Sequence, residues 1–574
     1  MNTEVRFLLA IGLMLVVLVG TNLLFPPERP EVTTAPDSLG MVTQPQGRAP
    51  ADTMRPGAPP AIPQAQPQEA QLVPAADTVT RESVTVESPL YRYTFSNVGA
   101  ELTSAELLRF KALNHGGGVV NLIPEGVDGV LGQRLLVGRD TVDLRGLPFQ
   151  VSPAGGLHLT ANDGPQVLRF VYQHPTQPFR IELDYQFHPD QYQVSVNGRV
   201  TGVERPLLIT DLGEGLAYAE ADSSGESRAM AFVANSVQDG IKAHPLGRAK
   251  PGVEEGPLLW AAFKNKFFVF ALLSGASEVT DTTSATPDYL GGLLVSQSPL
   301  PDRVHVEATQ SVHQDGTFGY RLFMGPQEYA RLSSLGEDMQ EVNPYGWRFF
   351  RPIVRPFVSV IVTILNFLHN TLSLGYGWVL IVFGVLMRVV LWPLNQKAMR
   401  AQLKNMAVQP LMQEIQSKYK DNPERLQKEM MKLYKEHGFN PLAGCWPMML
   451  PYPVLIALFF VFQNSIELRG VSFLWLPDLS APDPLYILPI FMALSMFAMQ
   501  WVSMKSLPQT SGQTKAMMYF MPVLMLLIFF RLASGLNLYY ATANIATIPQ
   551  QIWINNERKK VRASGMLGTT SKKE

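Results

Sequence analysis

Residues 376–394 read Tyr-Gly-Trp-Val-Leu-Ile-Val-Phe-Gly-Val-Leu-Met-Arg-Val-Val-Leu-Trp-Pro-Leu. The only charge in this run is Arg388. Its length is close to the ~20 apolar residues that cross a hydrocarbon core. An arginine at mid-bilayer costs roughly 2.5–3.5 kcal/mol on insertion scales. Such a residue either faces water or protein for a purpose, or snorkels to the surface. The basic Lys397 follows, about 13 Å further along a helix at about 1.5 Å per residue. A long side chain shortens much of that gap, so position alone weighs the two readings equally.

The last apolar region shifts the balance. Asn537, Tyr540, Asn544, Thr547 and Gln551 are separated by 3, 4, 3 and 4 positions, which puts them on one helix face. A polar stripe through a membrane helix must face something polar or bond a neighbouring helix. Gly384 and Asn395 fall near the Arg388 face, and Gln500 and Ser503 add polarity to another span. No span offers Arg388 an acidic partner. A wet cavity holding an unpaired positive charge is the simplest solution, and it could admit a polar stretch of another polypeptide.

Working outward, the apolar segments are Tyr376–Leu394, Cys445–Ile466, Leu485–Val502, Met517–Phe530 and Leu536–Ile554. Residues 7–25 hold another charge-free run, read as an uncleaved N-terminal anchor within 1–25. That makes six spans, with the final region split at Arg531–Gly535. Residues 26–78 are rich in proline and read as an extended tether. Residues 79–344 alternate apolar and polar positions between turn clusters such as Asn97-Val-Gly99, Asn162-Asp-Gly164 and Val196-Asn-Gly198. That pattern is an antiparallel β-sandwich of double size. Residues 345–373 mix arginines with aromatic and aliphatic residues and read as an interfacial amphipathic helix.

Charge sets the orientation. Residues 397–436 carry nine Lys/Arg against five Asp/Glu, whereas 26–345 carry 23 basic and 37 acidic residues. The tail 555–574 is basic again. The positive-inside rule then places both termini, the 397–436 loop and the 503–516 loop in the cytoplasm, with the acidic domain and the 467–484 loop outside. Within the core 374–554, residues 396–438 read as a cytoplasmic helical hairpin, with Asn422 as N-cap and Pro423 in the first helical position. The overall charge of −1 excludes a generally basic DNA binder, and the single cysteine, Cys445, excludes an internal disulfide. No phosphate-binding loop or zinc helix motif is found, so no cofactor is expected and the chain does not read as an enzyme.

Met387-Arg-Val-Val-Leu-Trp-Pro-Leu394, Leu433 to Pro447, Ser465-Ile-Glu-Leu-Arg469, Asp478 to Pro489 and Ser534-Gly-Leu-Asn-Leu-Tyr-Tyr540 together resemble the YidC/Oxa/Alb family of membrane protein insertases. The likeness is to its Gram-negative form with a large periplasmic domain. It implies a multi-pass α-helical membrane protein of six spans, five forming the insertase core, plus an all-β periplasmic super-sandwich similar to sugar mutarotases. It implies a bacterial inner-membrane location and a groove open to cytoplasm and lipid. Arg388 stands where the family has its groove arginine, and Tyr540 where it has a substrate-contacting tyrosine. Gly384 stands where some members have a polar residue. Implied partners are nascent membrane proteins, the SecYEG translocon with SecDF, membrane lipids, and ribosomes meeting the hairpin and basic tail. A small-solute transporter and a membrane-anchored periplasmic carbohydrate enzyme are the rival classes. No inverted repeat supports the first, and the scattered histidines of 79–344 form no recognisable site for the second.

Overall fold

Alternation along 79–344 becomes two sheets in the computed structural model. It describes residues 80–574 except 115, 276–288, 345–350, 394–395, 397–413, 416–417, 420–421, 437–451, 505–511 and 564–574. The N-terminal anchor, the tether, Asn395, Cys445, most of the first hairpin helix and the end of the tail lie outside the described residues.

Among the described residues a five-stranded sheet and a fourteen-stranded sheet make up the β domain. Pairings are antiparallel apart from Ser83–Glu87 beside Leu157–His158. Strand Arg180–Phe187 shows why the fold forms: Ile181, Leu183, Tyr185 and Phe187 alternate into the core while polar residues between them stay outside. Register with Gln166–Gln173 sets Leu183 opposite Phe170 and Tyr185 opposite Leu168, so the apolar faces coincide. The smaller sheet closes on this layer through Phe95, whose ring lies 5.2 Å from Tyr185 and 5.8 Å from Phe170. The Tyr93 hydroxyl donates to Met324 O at 2.9 Å, which satisfies a polar group at the centre of the core.

One expected turn is a strand instead. Val196-Asn-Gly198 lies within the continuous strand Gln193–Thr201. Gly198 is there for space: a β-carbon would sit 2.1 Å from the Phe318 ring opposite. The expected turn at 97–99 is present, with Gly99 at φ +77°.

Two short helices, α1 (Ser223–Ala229) and α2 (Tyr329–Ser334), belong to the β domain. Among the described residues seven helices follow: α3 (Arg351–Leu372), α4 (Tyr376–Val390), α5 (Pro423–Glu436), α6 (Tyr452–Asn464), α7 (Ile487–Met504), α8 (Gly512–Phe529) and α9 (Ser534–Ala563). α8 ends at Phe529, before the expected break at 531–535, and α9 begins at Ser534, within it. The expected start of α5 is also found, where Asn422 Oδ1 accepts from Arg425 N at 3.1 Å.

Among the described residues one helix, α3, is long and apolar enough to cross a membrane by length and composition. Helices α4, α6, α7 and α8 have apolar stretches that are shorter. α3 was expected to lie in the interface. It buries Val354, Val358, Ile361, Leu365 and Leu368 on one side and exposes Ile353, Phe357, Val360 and Phe367 on the other. Its Arg355 pairs with Asp338 and with Glu341 at 3.3 Å, so one end of α3 is tied to the end of the β domain.

Glu101 makes the β domain sensitive to pH. It is 8% exposed, and burial pushes its carboxyl up from 4.5 to about 7, against the pull of Arg81 and Arg145. The folded chain therefore keeps a proton that the unfolded chain has lost between those values, and stability falls as pH rises through that window. Glu101→Gln should raise the melting temperature at about pH 8, by the equivalent of roughly 1–3 kcal/mol, and change it little near pH 4.5. Equal melting shifts at both pH values would refute this.

Candidate functional site

Helix α4 brings Arg388 to the site. Three apolar turns precede it, and the helix closes with Leu391 N donating to Met387 O at 2.9 Å. Arg388 is half-buried. Its Nε atom is buried and meets no hydrogen-bond acceptor among the described residues. No carboxylate pairs with it among those residues either. Tyr539 and Tyr540 of α9 are the ionisable side chains near enough to influence it.

Helices α4 and α9 run side by side. A β-carbon on Gly384 would lie 3.2 Å from Thr542 Cγ2 and 3.6 Å from the Tyr539 ring. Trp392 meets Trp553 with ring centroids 6.2 Å apart. Arg388 lies between these two contacts along α4. Gly384 is buried at the close approach of this pair. A small residue lets two helix backbones come near.

The polar stripe on α9 divides between roles. Asn537 is fully buried and donates Nδ2 to Phe529 O at 3.2 Å, closing the α8–α9 connection, while its Oδ1 has no partner among the described residues. Asn544 Nδ2 donates to Ser495 Oγ on α7 at 3.1 Å. Gln551 Nε2 donates to Ser503 Oγ at 2.7 Å. Asn544 and Gln551 thus serve as interhelical bonds between α7 and α9. Thr547 donates to Ala543 O within its own helix at 2.7 Å. Tyr540 is half-buried and stands edge-on to Phe529, with centroids 5.2 Å apart. Gln500 is half-buried on α7. Arg388, Tyr540, Thr547 and Gln500 make no side-chain hydrogen bond to another helix among the described residues.

Further polar groups of the bundle have no local signal in the sequence. Ser495 is the acceptor for Asn544, and Gln463 Nε2 and Gln550 Nε2 are further buried amides without a partner among the described residues. The largest omission is an ion pair outside the bundle. Arg469 Nε donates to Glu220 Oε1 at 2.6 Å, and Nη2 to Ala219 O at 3.3 Å. The two side chains are 3% and 9% exposed. Burial pushes the Glu220 carboxyl up, and Arg469 opposes that rise. Beside it Glu226 is pushed up to about 7 by burial, although it accepts from Ala219 N, Glu220 N and Asn265 Nδ2. Lys266 Nζ adds a bond to Ser480 O at 3.0 Å. The loop between α6 and α7 is thereby joined to the β domain. The same loop holds α9, because Ser534 N donates to Ala481 O and Gly535 N to Leu479 O, each at 2.8 Å. The sequence signal was a lone arginine in an otherwise acidic loop, with nothing to point to a partner 249 positions away.

A large all-β domain is joined to a packed group of apolar helices, among which a half-buried arginine has no acidic partner among the described residues. The family model described as YidC periplasmic domain matches residues 83–360, and that described as 60Kd inner membrane protein matches 367–561. The membrane protein insertase YidC of Chlorobaculum tepidum is 32% identical over 530 residues, covering 87% of this chain and 86% of the relative. That of Chlorobium luteolum is 31% identical over 532 residues, with the same coverages. A crystal structure of an active YidC insertase with its first transmembrane domain resolved has 17% identity and a TM-score of 0.31, covering 82% of this chain and 93% of the other. The chain belongs to the YidC family of bacterial inner-membrane protein insertases, the form with a large periplasmic domain, and these are not enzymes.

Proposed function

We propose that the chain inserts client membrane proteins by admitting their segments to a polar groove inside the bilayer, where Arg388 supplies the positive charge. Arg388 attracts acidic residues of the incoming segment, and local polarity lowers the barrier to its polar part. The apolar part then moves sideways into lipid, a step favoured by ~0.8 kcal/mol per buried CH₂. Tyr540, Thr547 and Gln500 line the path in this reading, and Asn537, Asn544 and Gln551 hold its walls. Asn395, outside the described residues, is assigned to the same groove. In this reading the chain crosses the inner membrane six times, with both termini cytoplasmic and the β domain periplasmic, and helps its clients to fold. It acts alone or with the SecYEG translocon and SecDF. The cytoplasmic hairpin and basic tail receive chains from the ribosome.

The observation that carries this reading is the buried guanidinium nitrogen of Arg388 without an acceptor. An unpartnered cation in an apolar helix is costly to keep unless something uses it. The test is insertion of a short single-span client into vesicles containing only this protein. Protease-protected client well above the level in empty vesicles is the expected result. Equal protection in both would sink the autonomous form of the reading.

A further inference from the structure

The loop between α6 and α7 carries an exposed apolar turn. Phe473 N donates to Leu476 O and Leu476 N to Phe473 O, each at 2.9 Å, which closes a tight turn. Leu474, inside that turn, is 74% exposed and has φ +54°. This left-handed conformation is unfavourable for a branched apolar side chain. Exposing a leucine to water there is unfavourable twice over. Trp475 is exposed beside it, with its indole N–H directed to Asp483 Oδ2 at 3.4 Å. Trp378, at the start of α4, stands edge-on to Phe473 at 5.6 Å and is also exposed.

The charges of the loop point elsewhere. Asp478 Oδ1 accepts from Gly470 N and Ser480 N, and Asp483 accepts from Leu485 N and Leu488 N. Arg469 is committed to Glu220. Residues 471–477 and 484–487 contain no charged residue. Leu485, Tyr486 and Ile487 continue the exposed apolar surface. Tyr486 stacks on Phe530 at 4.0 Å, which carries the same level of the molecule to the α8–α9 connection.

We propose that the Phe473–Leu476 turn is a fixed wedge seated in the external leaflet of the bilayer, with Leu474 among the acyl chains and Trp475, Trp378 and Tyr486 at the headgroup boundary. Indole and phenol rings favour that boundary because one part is apolar and one part hydrogen-bonds. Uncharged lipid-facing residues, inward carboxylates and a closed backbone turn suit this occupant. The wedge perturbs lipid beside the external ends of α4, α7 and α9. The inference rests on the membrane placement of α6 and α7 proposed above.

The test places a nitroxide at Leu474→Cys on a Cys445→Ser background, in vesicles of phosphatidylethanolamine and phosphatidylglycerol containing no other protein. Leu494→Cys, on the exposed face of α7, and Val253→Cys, exposed on the β domain, are the references. Where Cys445→Ser does not fold, the spectrum of the unsubstituted chain labelled at Cys445 is subtracted instead. The expected ratio of oxygen to water-soluble nickel collisions at 474 resembles that at 494 and exceeds that at 253 by about threefold or more. A ratio at 474 matching 253, with 494 still favouring oxygen, places the turn in water and overturns the wedge. Nickel access at 494 as well would overturn the membrane placement itself.

Discussion

Arg388→Ala is expected to reduce insertion of a single-span client with an acidic residue in its translocated segment by about tenfold, which corresponds to about 1.4 kcal/mol. A charge pair about 4 Å apart is worth ~1 kcal/mol in water and ~4 kcal/mol at an effective dielectric of about 20. The proposed groove, with half-buried groups around Arg388, lies between those limits, so a tenfold change falls within the available energy. A matched client without the acidic residue should lose less than about twofold, because it never drew on that attraction. Arg388→Lys keeps the charge but not the planar donor fork, so it should retain most of the activity with both clients. Amounts of folded protein must be equal for the comparison, which a thermal melt of each variant checks. Equal insertion by all three proteins would make Arg388 a snorkelling or hydration residue and leave groove polarity to carry the mechanism. The missing acceptor at Nε makes the charge-attraction outcome the expected one.

Arg469→Ala should produce the largest loss of stability. It removes one member of an ion pair whose side chains are 3% and 9% exposed, and breaking such a pair costs roughly 3–5 kcal/mol because a charge stays buried alone. The bond to Ala219 O and the packing of the guanidinium over Phe268 at 5.1 Å are lost with it. The deficit should depend on pH with a definite sign. Burial already holds the Glu220 carboxyl above its ordinary value, and Arg469 is what draws it down. Without Arg469 the folded form takes up a proton more readily than the unfolded form, so stability falls as pH rises. The melting-temperature gap between wild type and variant should therefore be wider at about pH 8 than at about pH 5. Pairing Arg469→Met with Glu220→Leu should recover part of the loss, since neither charge is then stranded. No melting shift at either pH would show that the pair does not join the loop to the β domain in solution.

Much of the architecture was legible because it rests on local periodicity. Alternation at Ile181, Leu183, Tyr185 and Phe187 announces a strand with one buried face. Asn422-Pro423 announces a helix start, and the structure shows the cap bond. A break near 531–535 was expected from the charge pattern, and α8 ends at Phe529 while α9 begins at Ser534. Val196-Asn-Gly198 misled for the converse reason. Its glycine answers to the Phe318 ring across the sheet, a contact that no local pattern contains.

At the candidate site the residue types were readable and their partners were not. Periodicity placed Asn537, Asn544 and Gln551 on one face of α9, as the 3.6-residue repeat requires. It could not say that Ser495 and Ser503 of α7 would take up two of those amides. Gly384 read as a groove position, yet it is where α4 approaches α9. The sequence by itself determined the apolar runs, the charge asymmetry, the β-rich domain and an arginine without an acidic neighbour in its helix. These are properties of composition and spacing, set by what each residue does to its own segment. Tertiary structure alone decided which polar groups bond across helices, that Arg469 closes on Glu220, and that Leu474 is held outward in a left-handed turn. Those outcomes depend on distances between segments far apart in the chain, and only packing brings such segments together.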